Sequence, residues 1–290
     1  METAASESGD TIKPSVPIRL IALDLDGTTL RSDRTMHPEN AAAIQRAHES
    51  GIFVVAASGR FAPSIDQHLT PLGVPFYTIA ANGAHVRDSE GADMAIEAIS
   101  HRLVSALHDY AEEFNVHLNV YTPHQIHMLR PTEWQHVYIE RLGSDRHIRL
   151  GSSIREITAP IKAMLIDAPD HIQKHAQAIQ ERFDLTEVTV VESEPDYLEF
   201  ISKKAGKGEA LKTVAKALGV SRMETAAIGD FLNDYEMVAW AGIGAAVANA
   251  HPEVRAAADV IAPHHDDAGV AWFIDTVIQR NANLETSATA

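Results

Sequence analysis

The stretch Ile18–Leu30, IRLIALDLDGTTL, decides how the rest of the chain is read. Ile18 to Leu25 is mostly apolar and partly β-branched, the pattern of a strand buried on both faces. It ends in Asp24, Leu25, Asp26 and Gly27, followed by Thr28 and Thr29. Strand geometry puts residues i and i+2 on one face, although the chain is already turning at Gly27. Delivering two acids from the end of a buried strand is costly unless something cationic meets them. The pair suits a divalent metal with one carboxylate left free to react. A polar strand end with a helix cap would account for one aspartate here but poorly for two.

Outward from that stretch, apolar spacing predicts a helix over His37–Ser50, closed by Gly51. A second buried strand, Ile52–Ala57, ends in Ser58-Gly59-Arg60, and a helix follows from Pro63 to Leu69. A third strand, Phe76–Ala81, ends in Asn82-Gly83. Strands alternating with helices imply right-handed crossovers and a parallel sheet. The rhythm then changes. Strands at Val116–Tyr121 and Gln125–Leu129 flank a Thr-Pro-His turn, so this portion is at least partly antiparallel. Further strands at Ile161–Asp167 and Val188–Val191 alternate with helices at Thr132–Leu142 and Asp170–Phe183. The chain returns to the first rhythm near Asp196–Ser202. There follow a helix at Lys207–Leu218, strands at Thr225–Ile228 and Ile243–Val247, and a helix from Gly269 to Gln279. The expected fold is α/β: a Rossmann-like parallel-sheet core at 16–85 and 196–280, an inserted α+β cap at 86–195, and disordered tails at 1–15 and 281–290.

Composition narrows the function. The 290 residues carry a formal net charge of −16, which argues against nucleic acid or an anionic membrane as a partner. An anionic small substrate stays possible, because a metal and a few cationic side chains can dominate the field inside a cleft. Cysteine is absent, so disulfides and thiol chemistry are excluded. The first 15 residues lack an apolar stretch and no run is long enough to span a bilayer, so the cytoplasm is the expected location.

Asp24 with Asp26, Ser58, Asn82 and Asp230 each fall at the carboxyl end of an expected parallel strand, the edge where open α/β sheets bind ligands. Ser58-Gly59 enters a helix and offers a hydroxyl and free N–H groups to a phosphate oxygen, although an ordinary capping serine would look the same. Lys207, between Gly206 and Gly208 at a helix start, is poorly placed unless an anion sits there; alone it would read as a solvated loop lysine, as Lys203 and Lys204 do. Gly229-Asp230-Phe231-Leu232-Asn233-Asp234 sets two acids at i and i+4, a repulsive spacing that a shared cation or a lysine reverses.

Together these residues resemble the haloacid dehalogenase-like superfamily of aspartate-nucleophile phosphohydrolases, in its Cof-type branch with a large α/β cap. The four motifs are Asp24-Leu25-Asp26-Gly27-Thr28, Ser58-Gly59-Arg60, Lys207 in its Lys-Gly-x-Ala-Leu context, and Gly229-Asp230-x-x-Asn233-Asp234. Asn82-Gly83-Ala84 and Asn249-Ala250 match the branch as well. Ser58 stands where many relatives have threonine, and Asp267-Ala268-Gly269-Val270-Ala271 carries one residue more than the usual Asp-Gly-Val-Ala. The likeness covers about residues 18–275 and does not specify a substrate.

The resemblance implies that Asp24 attacks phosphorus and that Asp26 protonates the leaving group and then activates water. It implies Mg²⁺ on Asp24, the Asp26 carbonyl and Asp230, with Ser58, Gly59, Lys207 and Asn233 on the phosphoryl oxygens. Asp234 would orient Lys207 or a metal-bound water, and Asn82 would support the site. The implied partner is a small phosphorylated metabolite, such as a sugar phosphate or a phosphorylated cofactor. A phosphomutase or phosphotransferase, or a non-catalytic binding protein, remains an alternative. Oligomeric state is not legible. In the cap, alternation is expected to turn His117, Asn119, Tyr121, Gln125 and His127 into the cleft, unless they are only the wet face of a half-exposed sheet.

Overall fold

The computed structural model describes residues 16–288. Its larger sheet has eight strands and is centred on β1 (Leu20–Asp24). On one side of β1 lie β2 (Phe53–Ala57) and β3 (Tyr77–Ala80); on the other lie β12 (Thr225–Gly229), β13 (Ile243–Val247) and β14 (Val260–Ala262). All six run parallel. Ile21 and Leu23 of β1 face one apolar layer and Leu20 and Ala22 the other, which explains the unbroken hydrophobic run. Helices α1 (Pro38–Glu49), α2 (Ala62–Leu69) and α9 (Gly269–Ala288) supply the first layer, and α6 (Lys207–Ala217) fills the second with Leu211 and Val214. The chain winds outward from β1 to β3 and resumes on the other side at β12. The order therefore reverses between β1 and β12, where open α/β sheets form a crevice.

The second sheet has six strands, ordered β10 (Val188–Glu194), β11 (Tyr197–Ser202), β9 (Lys162–Ile166), β6 (His117–Tyr121), β7 (Ile126–Met128) and β8 (Ile148–Leu150). Its pairs are antiparallel except β7 with β8. Helices α3 (His101–Phe114) and α5 (Pro169–Arg182) cover the face of Leu118, Val120 and Leu165. Helix α4 (Trp134–Leu142) packs on the other face with Tyr121, Met128 and Met164.

Sheet membership shifts the expected boundaries. β4 (His85–Arg87) and β5 (Asp93–Ile96) extend the core sheet antiparallel from β3, so the core strands run to Ile96 rather than 85. Conversely, β11 pairs with β9 and β10 in the cap sheet, so the chain returns to the core after Ser202 rather than at 196. The physical reason is edge satisfaction: the short hairpin at 85–96 covers the open side of β3, and Tyr197–Ser202 is needed between two cap strands. The stretch from 281 is not a disordered tail as far as Ala288, because α9 continues through it. Asn281 anchors it, accepting from the Ile18 N–H and donating to the Ile18 carbonyl at 2.8 Å each. Residues 1–15, also expected to be disordered, lie outside the described residues, as do 289 and 290. Among the described residues no helix is long and apolar enough to cross a membrane.

Candidate active site

Five chain segments converge at the carboxyl ends of β1, β2, β3 and β12 and at the start of α6. Asp24 closes β1 and is almost fully buried. The Lys207 ammonium, on the first residue of α6, donates to Asp24 Oδ1 at 2.7 Å and to Asp234 Oδ1 at 2.5 Å. Asp234 Oδ2 accepts the backbone N–H groups of Asp230 and Phe231 at 3.0 and 3.2 Å. The i, i+4 acids therefore do not lie on one helix face. Asp230 leaves β12 in a loop, and Asp234 folds back beneath it from a short 3₁₀ turn at 232–234. Gly229 permits the fold-back, since a Cβ there would lie 2.5 Å from the Asp234 Cβ. Gly27 has φ +75° and a Cβ on it would meet Asp230 Oδ2 at 2.5 Å, so a glycine brings the Asp26 loop onto Asp230. Thr28 Oγ1 donates to Asp230 Oδ1 at 3.1 Å.

Ser58, Gly59, Asn82 and Asn233 form the adjoining wall. Ser58 is buried, its N–H bonded to the Ile79 carbonyl and its Oγ accepting the Arg60 N–H at 3.1 Å. It is not a helix cap, because α2 begins at Ala62 with Phe61 as the capping residue. Gly59 lies against the Asn82 amide, whose oxygen accepts from Asn233 Nδ2 at 2.9 Å. Asn82 itself has φ 55°, a left-handed conformation that asparagine tolerates better than most residues.

The electrostatics are lopsided. Burial and the nearby Asp234 charge push Asp24 well above the usual carboxylate range, against the opposing pull of Lys207. Burial and Asp234 raise Asp230 too. Burial alone would lower Lys207, but Asp234 and Asp24 outweigh it and hold the lysine charged. Asp24 Oδ2 is buried without a hydrogen-bond partner, and carboxylate oxygens of Asp24, Asp230 and Asp234 lie within 4.8 Å of one another. Three crowded acids beside a single lysine form an arrangement that a hard divalent cation resolves, and oxygen donors suit Mg²⁺. The residues present fit such an ion.

Asp26 is held differently. Arg60 clamps it through both oxygens, Nε to Oδ2 at 2.7 Å and Nη2 to Oδ1 at 2.5 Å. Burial works to raise Asp26, but the Arg60 hydrogen bonds and charge win and hold it below the ordinary value. Arg60 Nη1 also donates to His68 Nε2 at 3.1 Å, so the imidazole proton is on Nδ1. Arg60 stood in the second motif without a role. The signal available for it was an arginine three residues beyond a strand end that faces an acidic one.

The five cap residues do not share a face. The hairpin register pairs Tyr121 with Ile126, Val120 with His127 and Asn119 with Met128. His127 therefore lies with Val120 on the side away from Tyr121, where its Nδ1 meets Ser152 Oγ at 3.0 Å. Gln125 follows the same alternation, with its amide group 3.1 Å from the Arg149 guanidinium, whose donors call for the amide oxygen on that side. His117 and Asn119 do lie with Tyr121, but His117 is closed in between Asn119 Oδ1 at 2.9 Å and Thr132 Oγ1 at 2.6 Å. Burial, with Arg130 nearby, pushes its pKa down to about 4. Tyr121 is buried with its hydroxyl bonded to that of Tyr138, and its ring centroid lies 6.1 Å from that of Phe61, the residue after the Ser58-Gly59-Arg60 motif. Beside it, and missed in the sequence, is the buried pair Lys162–Glu199 at 3.1 Å, with the lysine 4.6 Å above the Tyr121 ring. A charged residue inside each of two apolar strands was the available signal.

Comparison with known proteins agrees with this geometry. A sequence model described as haloacid dehalogenase-like hydrolase matches residues 21–274. Phosphatase YwpJ of Bacillus subtilis is 31% identical over 281 residues, covering 89% of this chain and 99% of that protein. The 5-amino-6-(5-phospho-D-ribitylamino)uracil phosphatase YcsE of the same organism is 26% identical, covering 90% of this chain and 96% of its own. Among solved structures, TM0651 from Thermotoga maritima superposes with a TM-score of 0.82 at 27% identity, covering 89% of this chain and 97% of that one. A haloacid dehalogenase-like hydrolase from Bacteroides thetaiotaomicron gives 0.79 at 27% identity, with 90% and 99% covered. The matched segment spans all four motifs and the insertion between the second and the third. The chain belongs to the haloacid dehalogenase-like hydrolase family, in its Cof-type branch of phosphatases.

Proposed function

We propose that this chain hydrolyses a small phosphomonoester, a sugar phosphate or phosphorylated cofactor, through an aspartyl-phosphate on Asp24. The observation that carries the reading is the asymmetry of the Asp24 carboxylate. Lys207 fixes one oxygen at 2.7 Å, and the other is buried without a partner. A carboxylate held by one oxygen presents the second for attack.

Asp24 Oδ2 forms the new bond to phosphorus as the bond to the leaving oxygen breaks, and Asp26 gives that oxygen a proton. Asp26 then takes a proton from the water that cleaves the acyl phosphate, releasing inorganic phosphate and restoring Asp24. Proton delivery requires the Arg60 clamp to part from Asp26 once the leaving group enters, so that the freed carboxylate takes up a proton from solvent before passing it on. The Ser58 hydroxyl, the Gly59 N–H, Lys207 and the Asn233 amide bind the phosphoryl oxygens as charge redistributes. A Mg²⁺ ion on Asp24, Asp230 and the Asp26 carbonyl would supply neutralising charge between anionic nucleophile and anionic substrate. Asp234 holds Lys207 and the Asp230 loop at once, so its role is to position both. Tyr121, its hydroxyl on Tyr138 and with Lys162 and Glu199 behind it, supports the part of the cap that closes over the leaving group.

The test is a turnover screen of phosphorylated metabolites with Mg²⁺ and with EDTA, with glycerol added as a competing acceptor. Release of inorganic phosphate that EDTA abolishes supports the reading. Transfer to glycerol outpacing hydrolysis would make the protein a phosphotransferase instead.

A further inference from the structure

The loop that carries Asp24 and Asp26 is tied down from behind by two residues outside the four motifs. The Gly27 carbonyl accepts from Asn249 Nδ2 at 2.8 Å, and Asn249 Oδ1 accepts the His265 N–H at 3.1 Å. The His265 ring closes the circuit, with Nδ1 2.8 Å from the Leu30 carbonyl. A carbonyl only accepts, so the His265 proton sits on Nδ1. His265 is buried, and its neighbour Asp266 accepts the Ser32 N–H and Oγ–H at 2.8 Å each. Gly27 and Leu30, on either side of Thr28–Thr29, are therefore fastened through Asn249 and His265 to the segment that leads into α9.

Other bonds take up more of the loop's carbonyls. The Leu25 carbonyl accepts from the Thr28, Thr29 and Leu30 N–H groups, Asp24 from Thr29 Oγ1, and Thr29 from Asn40 Nδ2. None of these bonds uses the Asp26 carbonyl. Because Gly27 already packs directly on Asp230, a slip of its peptide changes the spacing between the Asp26 carbonyl and the Asp230 carboxylate. Groups behind a ligand set that hold its donors commonly govern metal affinity.

His264, His265 and Asp266 also lie close enough together to resemble a metal cluster of their own. Their atoms are committed to the tether instead. His264 Nδ1 accepts the Asp266 N–H at 3.2 Å, His265 Nδ1 serves Leu30, and both Asp266 oxygens serve Ser32.

We propose that Asn249 and His265 are positioning residues that set the cation affinity of the Asp24–Asp230 site by fixing the peptides on either side of Thr28–Thr29. The inference rests on the metal reading above, and its test separates the two. Mg²⁺ binding is measured by isothermal titration calorimetry, without substrate, on the wild type, Asp230→Asn, Asn249→Ala, His265→Ala and His265→Asn. Thermal midpoints in EDTA show which variants are folded. Asn249→Ala and His265→Ala are expected to bind Mg²⁺ about ten-fold more weakly or worse. His265→Asn, whose amide nitrogen stands near the place of imidazole Nδ1, is expected to recover most of the loss. Wild-type affinity in folded Asn249→Ala and His265→Ala, alongside weakened binding in Asp230→Asn, overturns the positioning role and leaves the metal site standing. Equal loss in His265→Asn and His265→Ala overturns it as well. No Mg²⁺ binding by the wild type, or unchanged binding in Asp230→Asn, overturns the metal reading and the tether with it.

Discussion

At the core edge, Asp24, Ser58, Asn82 and Asp230 each close or follow a parallel strand, and all four reach one crevice. In the cap, polar residues spaced just as regularly along β6 and β7 are divided between two faces of an antiparallel hairpin. The difference lies in what fixes direction. In a parallel sheet every strand points its carboxyl end the same way, so a strand-end residue is placed by chain order alone. In a hairpin, facing depends on register, and a shift of one residue exchanges the faces.

The sharpest way to break the comparison is to remove the lysine around which the core edge closes. Lys207→Ala leaves Asp24 and Asp234 buried without their cation, and loss of one partner of such a network costs about 3–5 kcal/mol. Urea unfolding in Mg²⁺-free buffer measures it, and a loss under about 1 kcal/mol would mean the cluster opens to water. Asp26→Ala is expected to lower kcat/KM by about 10²–10⁴ for an alkyl phosphate and much less for a nitrophenyl phosphate. Equal losses on the two substrates would remove Asp26 from proton transfer.

In the cap, Tyr121→Ala and Lys162→Met should reduce kcat/KM for the preferred substrate about ten-fold while sparing an aryl phosphate. His127→Ala and Gln125→Ala, on the far face, should leave both within about two-fold. The reverse order would restore the facing that simple alternation suggests.

The smallest effect is on stability against pH. His117 is neutral in the folded chain, with its pKa down to about 4 from an ordinary 6.5. Between those values the unfolded chain binds the proton and the folded chain does not, so stability is full above 6.5 and falls as pH drops toward 4. The whole window is worth about 2–3 kcal/mol. Urea midpoints of His117→Asn should fall less steeply through it than those of the wild type, and parallel curves would show that His117 does not titrate there.

The same contrast explains what the sequence could and could not disclose. β1, β2 and β12 were legible because apolar runs ended in acids, a serine or a glycine. Lys207 was legible only in the company of the other motifs. The cap's strands were found, but its facing was not, because the two-residue tip at Pro123-His124 pairs odd positions of β6 with even positions of β7. Membership of β11 in the cap depended on which strands needed a neighbour, a fact of assembly rather than of local pattern. The end of α9 looked disordered because its composition is polar, whereas its order comes from the Asn281 side chain pairing with the Ile18 backbone at the start of β1. Arg60 and Asn249 stood in quoted motifs without a role and His265 in none, because all three act through bonds to chain segments far away in sequence.

The most direct test of the central claim is to stop the reaction midway. Wild type and Asp26→Ala are mixed with a nitrophenyl phosphate, whose leaving group departs without protonation, and Mg²⁺, then quenched in acid, digested and examined by mass spectrometry. The account predicts a single phosphoryl group on the peptide bearing Asp24, more abundant in Asp26→Ala because water attack is slowed, and none in Asp24→Asn, which should be folded and inactive. An unmodified Asp24 peptide throughout, with turnover surviving in Asp24→Asn, would contradict it.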